Sequence, residues 1–437
     1  MESSETAGEH ALTKLEIQLD LIAGAFGEEK FGKKFCEDGT LDYLYVRGVI
    51  LVRDAYVAEV ARLLEEDDEP EERDQEFVPA VGLLPGVSLF SVGGRDVPRL
   101  LDKIDARVGE GVATPDHILS ITPVFPCPAT EPEGVAGGAL PDPGPCPGGG
   151  SGAFIYVADT GLLDGAAAEH SWLAGVTGTK DPLDVQGGVT RIPDYAGHGT
   201  FIAGVARCMA PAAQVVVTRD FDKAGVISEH KIVLRLREAL RLAPDVINLS
   251  AGGTTRKDLP LLAFEAFWET YRHYKGLVLV ASAGNHSTRR PFWPAAFPQV
   301  VGVGALAANG RARAYFSDYG PWVDVYAPGE DLVNAYANGT YKYREPPHVG
   351  SYHHFDGMAR WSGTSFSAPL VAGLIAARIT RTGENGRQAA SSLLAQARAQ
   401  HVPGVGPVLW PCDTGDCGDR VACCCGSRHS AAGHCRC

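Results

Sequence analysis

The stretch GTSFSAPLVAGLIAA, residues 363–377, carries no charged side chain and sets a serine at the head of a long apolar run. Residues 366–377 are too few to cross a bilayer, which takes about 20, so the run is read as a buried core helix. Ser365 then stands at the edge of the core. The unpaired N–H groups and positive dipole end of a helix stabilise negative charge near them, as an attacking serine oxygen and its tetrahedral adduct require. A plainer purpose fits the same residues equally well: a Ser/Thr cap on a packed helix. Pro369 is read as part of the first turn, where its missing N–H has no partner to lose. The rest of the chain decides between the two readings.

At 437 residues and 45% hydrophobic content, the chain suffices for one large or two ordinary domains that fold without staples. A net charge of −14 argues against nucleic acid or an anionic membrane as the main partner. The opening MESSETAGEHALTKLEIQ lacks the basic and apolar regions of a secretory signal, and no run of 18 apolar residues occurs, so a soluble cytoplasmic protein is expected. Of eleven cysteines, Cys36, Cys127, Cys146 and Cys208 are scattered and seven crowd between Cys412 and Cys437. An odd count dominated by one tail does not read as an oxidised framework. The tail spacing C-x4-C-x5-CCC-x9-C-x-C also lacks the paired C-x2-C knuckles of structural zinc, and no metal is assigned to it.

Five segments follow from pattern. Residues 1–42 are polar and weakly patterned, an N-terminal arm. Residues 43–125 carry strands at 44–52, 77–84, 87–92 and 117–125 and helices at 55–66 and 97–108, an order β-α-β-β-α-β that suits a small ferredoxin-like α+β sandwich. Its acidic run at 65–76, nine acids against one arginine, reads as a solvated loop. Residues 126–152 are dominated by Pro and Gly and predict an exposed, mobile linker, with Cys127 and Cys146 as free thiols. From 153 to 402 apolar strands alternate with helices, predicting an α/β fold with a doubly wound, mainly parallel sheet, and residues 403–437 form the Cys-rich tail.

In such sheets chemistry collects at the carboxyl ends of strands. Asp159 closes the strand AFIYVADTG, His198 opens the helix HGTFIAGVARCM, and Ser365 opens the apolar helix. A serine hydroxyl needs an imidazole to take its proton, and the imidazole needs a carboxylate to fix its tautomer. Each residue alone reads as a cap, a turn former or a structural histidine; in the order Asp, His, Ser, with glycines beside each, they match one of the known triad orders.

With VADTG, GHGTFIAG, INLSAGG (247–253), ASAGN (281–285), PAAFPQVVGVGA (294–305), FSDYGPWVDVYAPG (316–329) and GTSFSAPLVAG (363–373) in sequence, the chain from about 153 to 400 resembles the catalytic domain of the subtilisin-like serine proteases. The resemblance implies Ser365 as nucleophile, His198 as general base, Asp159 as its orienting carboxylate, and Asn285 as side-chain donor of the oxyanion hole beside the Ser365 backbone N–H. It implies that Ser250, Ala251 and Gly252 pair with an extended peptide or protein substrate and line its first pocket, with Ser282, Ala283 and Gly284 opposite. No cofactor is implied. The N-terminal sandwich resembles the propeptides of that family, so its last strand is expected to lie along the cleft as an inhibitor, with processing between about 122 and 152. Departures from the pattern are Phe366 after the nucleophile, a short basic segment HSTRRPFWP after Asn285, and an aromatic insert at 330–363 whose His348, His353 and His354 are read as surface or packing residues. No calcium loop is recognised. A peptide ligase or a non-hydrolytic peptide-binding protein on the same fold is the alternative; the complete triad with Asn285 favours hydrolysis.

Overall fold

The computed structural model describes residues 3–66, 79–121, 129–146, 148–274 and 276–411. Cys127, the seven tail cysteines and most of the acidic run lie outside the described residues.

The expected N-terminal order is present, with two elements added in front. Strand β1 (Phe31–Phe35) and helix α1 (Ser3–Phe26) occupy the segment read as an arm. The sandwich follows as β2 (Leu41–Arg53), α2 (Val57–Glu66), β3 (Pro79–Leu84), β4 (Val87–Ser91), α3 (Val97–Arg107) and β5 (Ala113–Ser120). Helix α3 starts where Asp96 accepts from the Arg99 N–H at 3.0 Å, a side-chain cap that stops the preceding strand connection from continuing extended. Val60 and Leu64 of α2 and Val97, Leu100, Leu101 and Ile104 of α3 bury one apolar stripe each against Ile50, Val52 and Phe90 of the sheet.

The second unit is built on a seven-stranded sheet, all of it parallel: β6 (Phe154–Asp159), β7 (Thr177–Gly178), β10 (Gln214–Arg219), β12 (Val246–Leu249), β13 (Val278–Ser282), β14 (Val300–Leu306) and β15 (Val325–Pro328) run in the order β15-β14-β13-β12-β6-β10-β7. Strand residues point alternately to two apolar clusters, one on each face, as a sheet covered on both sides requires. Helices α5 (His198–Met209) and α8 (Thr364–Thr382) fill one face, and α6 (Glu229–Ala239) and α7 (Leu262–Tyr271) the other. Helix α9 (Gly386–Ala399), closed by an Asn385–Gln388 capping box, packs on α8; α4 (Ala166–Glu169) is a single turn. A four-stranded sheet, β17 (Tyr352–Trp361), β16 (Leu332–Lys342), β9 (Val189–Ile192) and β8 (Asp184–Gln186), holds the aromatic insert, which periodicity alone did not resolve into a hairpin. His348 and His353 of that insert lie against the Tyr343 ring and His354 faces Asp356.

Two expectations are corrected. The described part of the Pro/Gly segment, residues 129–146, is fastened to the second unit: the Ala129 N–H donates to Ser362 O, Glu133 pairs with Arg360, Asp142 with Val333, and the Cys146 N–H donates to Cys208 O at 2.7 Å. Its backbone groups find partners on β16, β17, Ser362 and the end of α5, so a composition that cannot form its own core still adopts one path. The second concerns Pro369. Helix α8 begins at Thr364, which puts Pro369 in the second turn, four residues past Ser365, where its missing N–H does leave a carbonyl without a helical partner.

Strand β11 (Val226–Ser228) of the second unit pairs antiparallel with β5, register Val226↔Ser120 to Ser228↔Ile118, so one six-stranded sheet runs through both units.

Candidate active site

Asp159 ends β6 and His198 begins α5. The Asp159 Oδ1 lies 2.8 Å from His198 Nδ1, and both side chains are fully buried. The same oxygen accepts the Thr160 N–H at 2.8 Å, which holds the carboxylate toward the imidazole. With Nδ1 committed to Asp159, Nε2 is the free base position; it is buried and has no partner among the described residues. Behind the imidazole stand Phe366 at 5.4 Å and Trp361 at 5.7 Å between ring centroids, themselves 5.2 Å apart. Phe366 thus serves as a wall of the histidine's slot, a part that its position next to Ser365 did not reveal.

Ser365 is the second residue of α8, after Gly363 at φ 160°. Its Oγ donates to the carbonyl of Ile121 at 3.4 Å. Asn285 stands beside it: its Oδ1 accepts from the Thr364 N–H at 2.9 Å and the Thr364 hydroxyl at 2.8 Å, which turns its amide nitrogen away from the helix and leaves it as a donor. Ser282 ends β13, Ala283 is buried, and Gly284, at φ 98°, donates its N–H to the Thr364 hydroxyl at 3.2 Å. A Cβ on Gly284 would meet Asp318 Oδ2 at 2.3 Å, so only glycine fits there.

Ser250 does not point into open cleft. Its hydroxyl accepts from Asn248 Nδ2 at 3.0 Å and donates to the Ser365 carbonyl at 2.8 Å. Ala251 lies in the apolar cluster that also holds Leu119, and Gly252 exchanges two backbone hydrogen bonds of 2.9 Å with Ser120. On the other side the Ile121 N–H donates to Gly225 O at 2.9 Å. The end of the N-terminal unit therefore runs as the middle strand between Gly252 and the Gly225–Ser228 edge, ending at the serine hydroxyl.

Two further carboxylates escaped the sequence reading. Asp181 Oδ2 accepts from the Thr160 hydroxyl at 2.9 Å and the Gly197 N–H at 2.7 Å, and the Thr160 oxygen accepts the Gly199 N–H at 3.1 Å. Burial pushes the Asp181 carboxyl up to about 6. Asp318, fully buried, accepts from His286 N and Thr288 N at 2.9 Å each, tying the turn that follows Asn285. The FSDYG match around Asp318 was the available signal; nothing in sequence marks Asp181.

The sequence profile of the subtilase family matches residues 150–399. The chain belongs to the subtilase family. A thermophilic serine proteinase of Bacillus sp. (strain AK1) is 32% identical over 253 residues, 54% of this chain and 54% of that protein. Thermitase of Thermoactinomyces vulgaris is 31% identical over 236 residues, covering 52% of this chain and 74% of thermitase. The chain thus spans about half the length of the first relative and about three quarters of the second. Among solved structures, fervidolysin from Fervidobacterium pennivorans, a keratinolytic enzyme related to subtilisin, is similar in fold, with a TM-score of 0.54 at 19% identity, over 85% of this chain and 61% of that one. No described helix of this subtilase is long and apolar enough to cross a membrane.

Proposed function

We propose that this subtilase is a serine endopeptidase that works through Asp159, His198 and Ser365 and is made as a self-inhibited precursor. In this reading His198 Nε2 takes the Ser365 proton as Oγ attacks the carbonyl carbon of an extended peptide. The developing oxyanion is met by the Asn285 amide and the Ser365 backbone N–H in the first turn of α8. His198 then gives the proton to the departing amine, and water repeats the sequence on the acyl-enzyme. Asp159 keeps the imidazole in the required tautomer throughout. Substrate backbone pairs with Gly252 on one side and the Gly225 edge on the other.

The observation that carries the proposal is the hydrogen bond from Ser365 Oγ to Ile121 O, at the end of a strand held between Gly252 and Gly225. A strand of the chain itself occupies the path a substrate would take, which is how an N-terminal inhibitor acts. Tethering supplies a high effective concentration, so the cleft stays filled until the chain is cut ahead of Ala129, where the fastened part of the catalytic unit begins.

A fluorophosphonate probe and a peptide digest test this together. After removal of the N-terminal unit, wild-type protein should label and hydrolyse, and Ser365→Ala should do neither while keeping its melting temperature. Full hydrolysis by Ser365→Ala would overturn the assignment.

A further inference from the structure

The strand in the cleft is not the only grip of the N-terminal unit on the catalytic unit. Helix α1 precedes the sandwich and is not needed to complete its β-α-β-β-α-β order, yet Leu15, Gln18, Leu19 and Ile22 are all buried. Spaced by three and four, they form one helical stripe. The apolar members join Phe31, Leu44 and Ile118 of their own unit in a cluster completed by Ala224 and Val226 of the other.

Gln18 is the informative member, because a buried amide needs partners and both of its partners belong to the catalytic unit. Its Nε2 donates to Ala224 O at 3.4 Å, and its Oε1 accepts from the Tyr195 hydroxyl. Ala224 precedes Gly225, whose carbonyl takes the Ile121 N–H. Tyr195 carries the carbonyl that accepts the His198 N–H at 3.3 Å, and its ring shares an apolar cluster with Ile121. At the end of the helix, Lys231 Nζ sits 5.8 Å from the Phe26 ring centroid. One amide thus joins the edge that pairs with the inhibitory strand to the segment that presents the catalytic histidine.

We propose that α1 is a latch, distinct from the inhibitory strand, whose hold on Tyr195 and the Ala224–Val226 edge sets how often that strand leaves the cleft. The inference rests on the self-inhibited reading given above. Strand and latch act as two linked attachments: release of the strand alone leaves the unit anchored beside the cleft, and rebinding is intramolecular. Trimming or displacement of α1 then becomes a control point for activation.

The test uses the full-length chain and the rate of fluorophosphonate labelling at Ser365. When opening is fast relative to labelling, that rate follows the fraction of open molecules. Gln18→Ala removes both bonds across the interface, and should raise the rate about tenfold. Lys231→Ala, on the catalytic surface and outside the N-terminal fold, should raise it by a smaller factor of about two. Leu119→Asp expels the strand directly and reports whether Ser365 is reactive once exposed. Fast labelling of Leu119→Asp with wild-type rates for Gln18→Ala, Lys231→Ala and their combination would overturn the latch alone. Equal labelling of Leu119→Asp and wild type would instead overturn the self-inhibited reading beneath it.

Discussion

The carbonyl of Ser365 accepts from the hydroxyl of Ser250 at 2.8 Å, and it does so because the residue four places on is Pro369, which has no N–H to offer. The proline that opens a gap in the helical ladder and the serine that fills it come from distant parts of the chain. Together they fix the backbone of Ser365 to the segment that pairs with Ser120, so the serine hydroxyl and that edge share one frame.

Removing that link has a defined cost. Ser250→Ala leaves a buried carbonyl without a partner, a loss of about 1–3 kcal/mol, and should lower both the melting temperature and kcat while changing KM little. Adding Pro369→Ala returns an N–H to the helix at the right position, and the double variant should regain part of the stability. Calorimetry on the four members of this cycle decides it: strictly additive losses would contradict the pairing.

Asn285 offers a separate readout of the same site. With its Oδ1 occupied by Thr364, its amide can act only as a donor. Asn285→Ala, measured in the released catalytic unit, should cut kcat by about a hundred- to a thousandfold with KM within a factor of about three. A loss carried by KM alone would speak against an oxyanion role.

The interface between the units carries its own pH dependence. His117 of β5 accepts the Arg256 N–H at Nε2, 3.2 Å away, and faces Glu229 Oε2 at Nδ1, 3.1 Å away, so the docked ring is neutral with its hydrogen on Nδ1. Burial lowers its pKa from 6.5 to about 3; Asp116 and Asp42 oppose the shift, and Arg256 and Arg290 add to it. Burial pushes Glu229 up, but both its oxygens already accept N–H groups, from Ala263 and His117, so the histidine sets the direction. A histidine whose docked pKa is depressed contributes stability that is complete above 6.5 and is lost as pH falls toward 3. In full-length Ser365→Ala, amide protection of residues 113–121 should therefore drop between about pH 6.5 and 5. His117→Asn should flatten the profile; a wild-type profile flat over that range would rule the histidine out.

Much of this was legible in the sequence because it depends on local pattern. Asp159, His198 and Ser365 sit at element ends set by apolar runs, and the structure joins the first two at 2.8 Å and puts the third at the head of α8. What was not legible depends on contacts between distant segments. Helix α1 mixes Leu15, Leu19 and Ile22 with other apolar residues such as Ile17 and Leu21 in a weakly patterned stretch, and the cluster its stripe joins is completed by Ala224 and Val226 from far along the chain. Residues 129–146 have the composition of a free connector and are ordered by backbone bonds to Val333, Arg360 and Ser362, which composition does not encode.

Asp181 is the clearest such case and makes the sharpest prediction. Its Oδ2 receives the Gly197 N–H, just before His198, and the Thr160 hydroxyl, just after Asp159, while Thr160 also receives the Gly199 N–H. The carboxylate thus braces both backbones that carry the Asp159–His198 pair. Asp181→Ala removes the oxygen that accepts both bonds and should lower kcat by about ten- to a hundredfold with KM little changed. Asp181→Asn can keep a carbonyl oxygen in the Oδ2 place and should retain most of kcat. Stability separates the two effects further. An acid whose folded pKa is raised, here from 3.8 to about 6, contributes most below 3.8 and loses that contribution as pH rises through 6. The neutral amide does not lose it. Relative to wild type, Asp181→Asn should therefore gain stability as pH rises from about 4 to 7, approaching about 3 kcal/mol if the full shift is expressed. Thermal unfolding of the released catalytic unit against pH reads this directly, and parallel curves for the two proteins would mean that the carboxyl titrates as an ordinary surface acid.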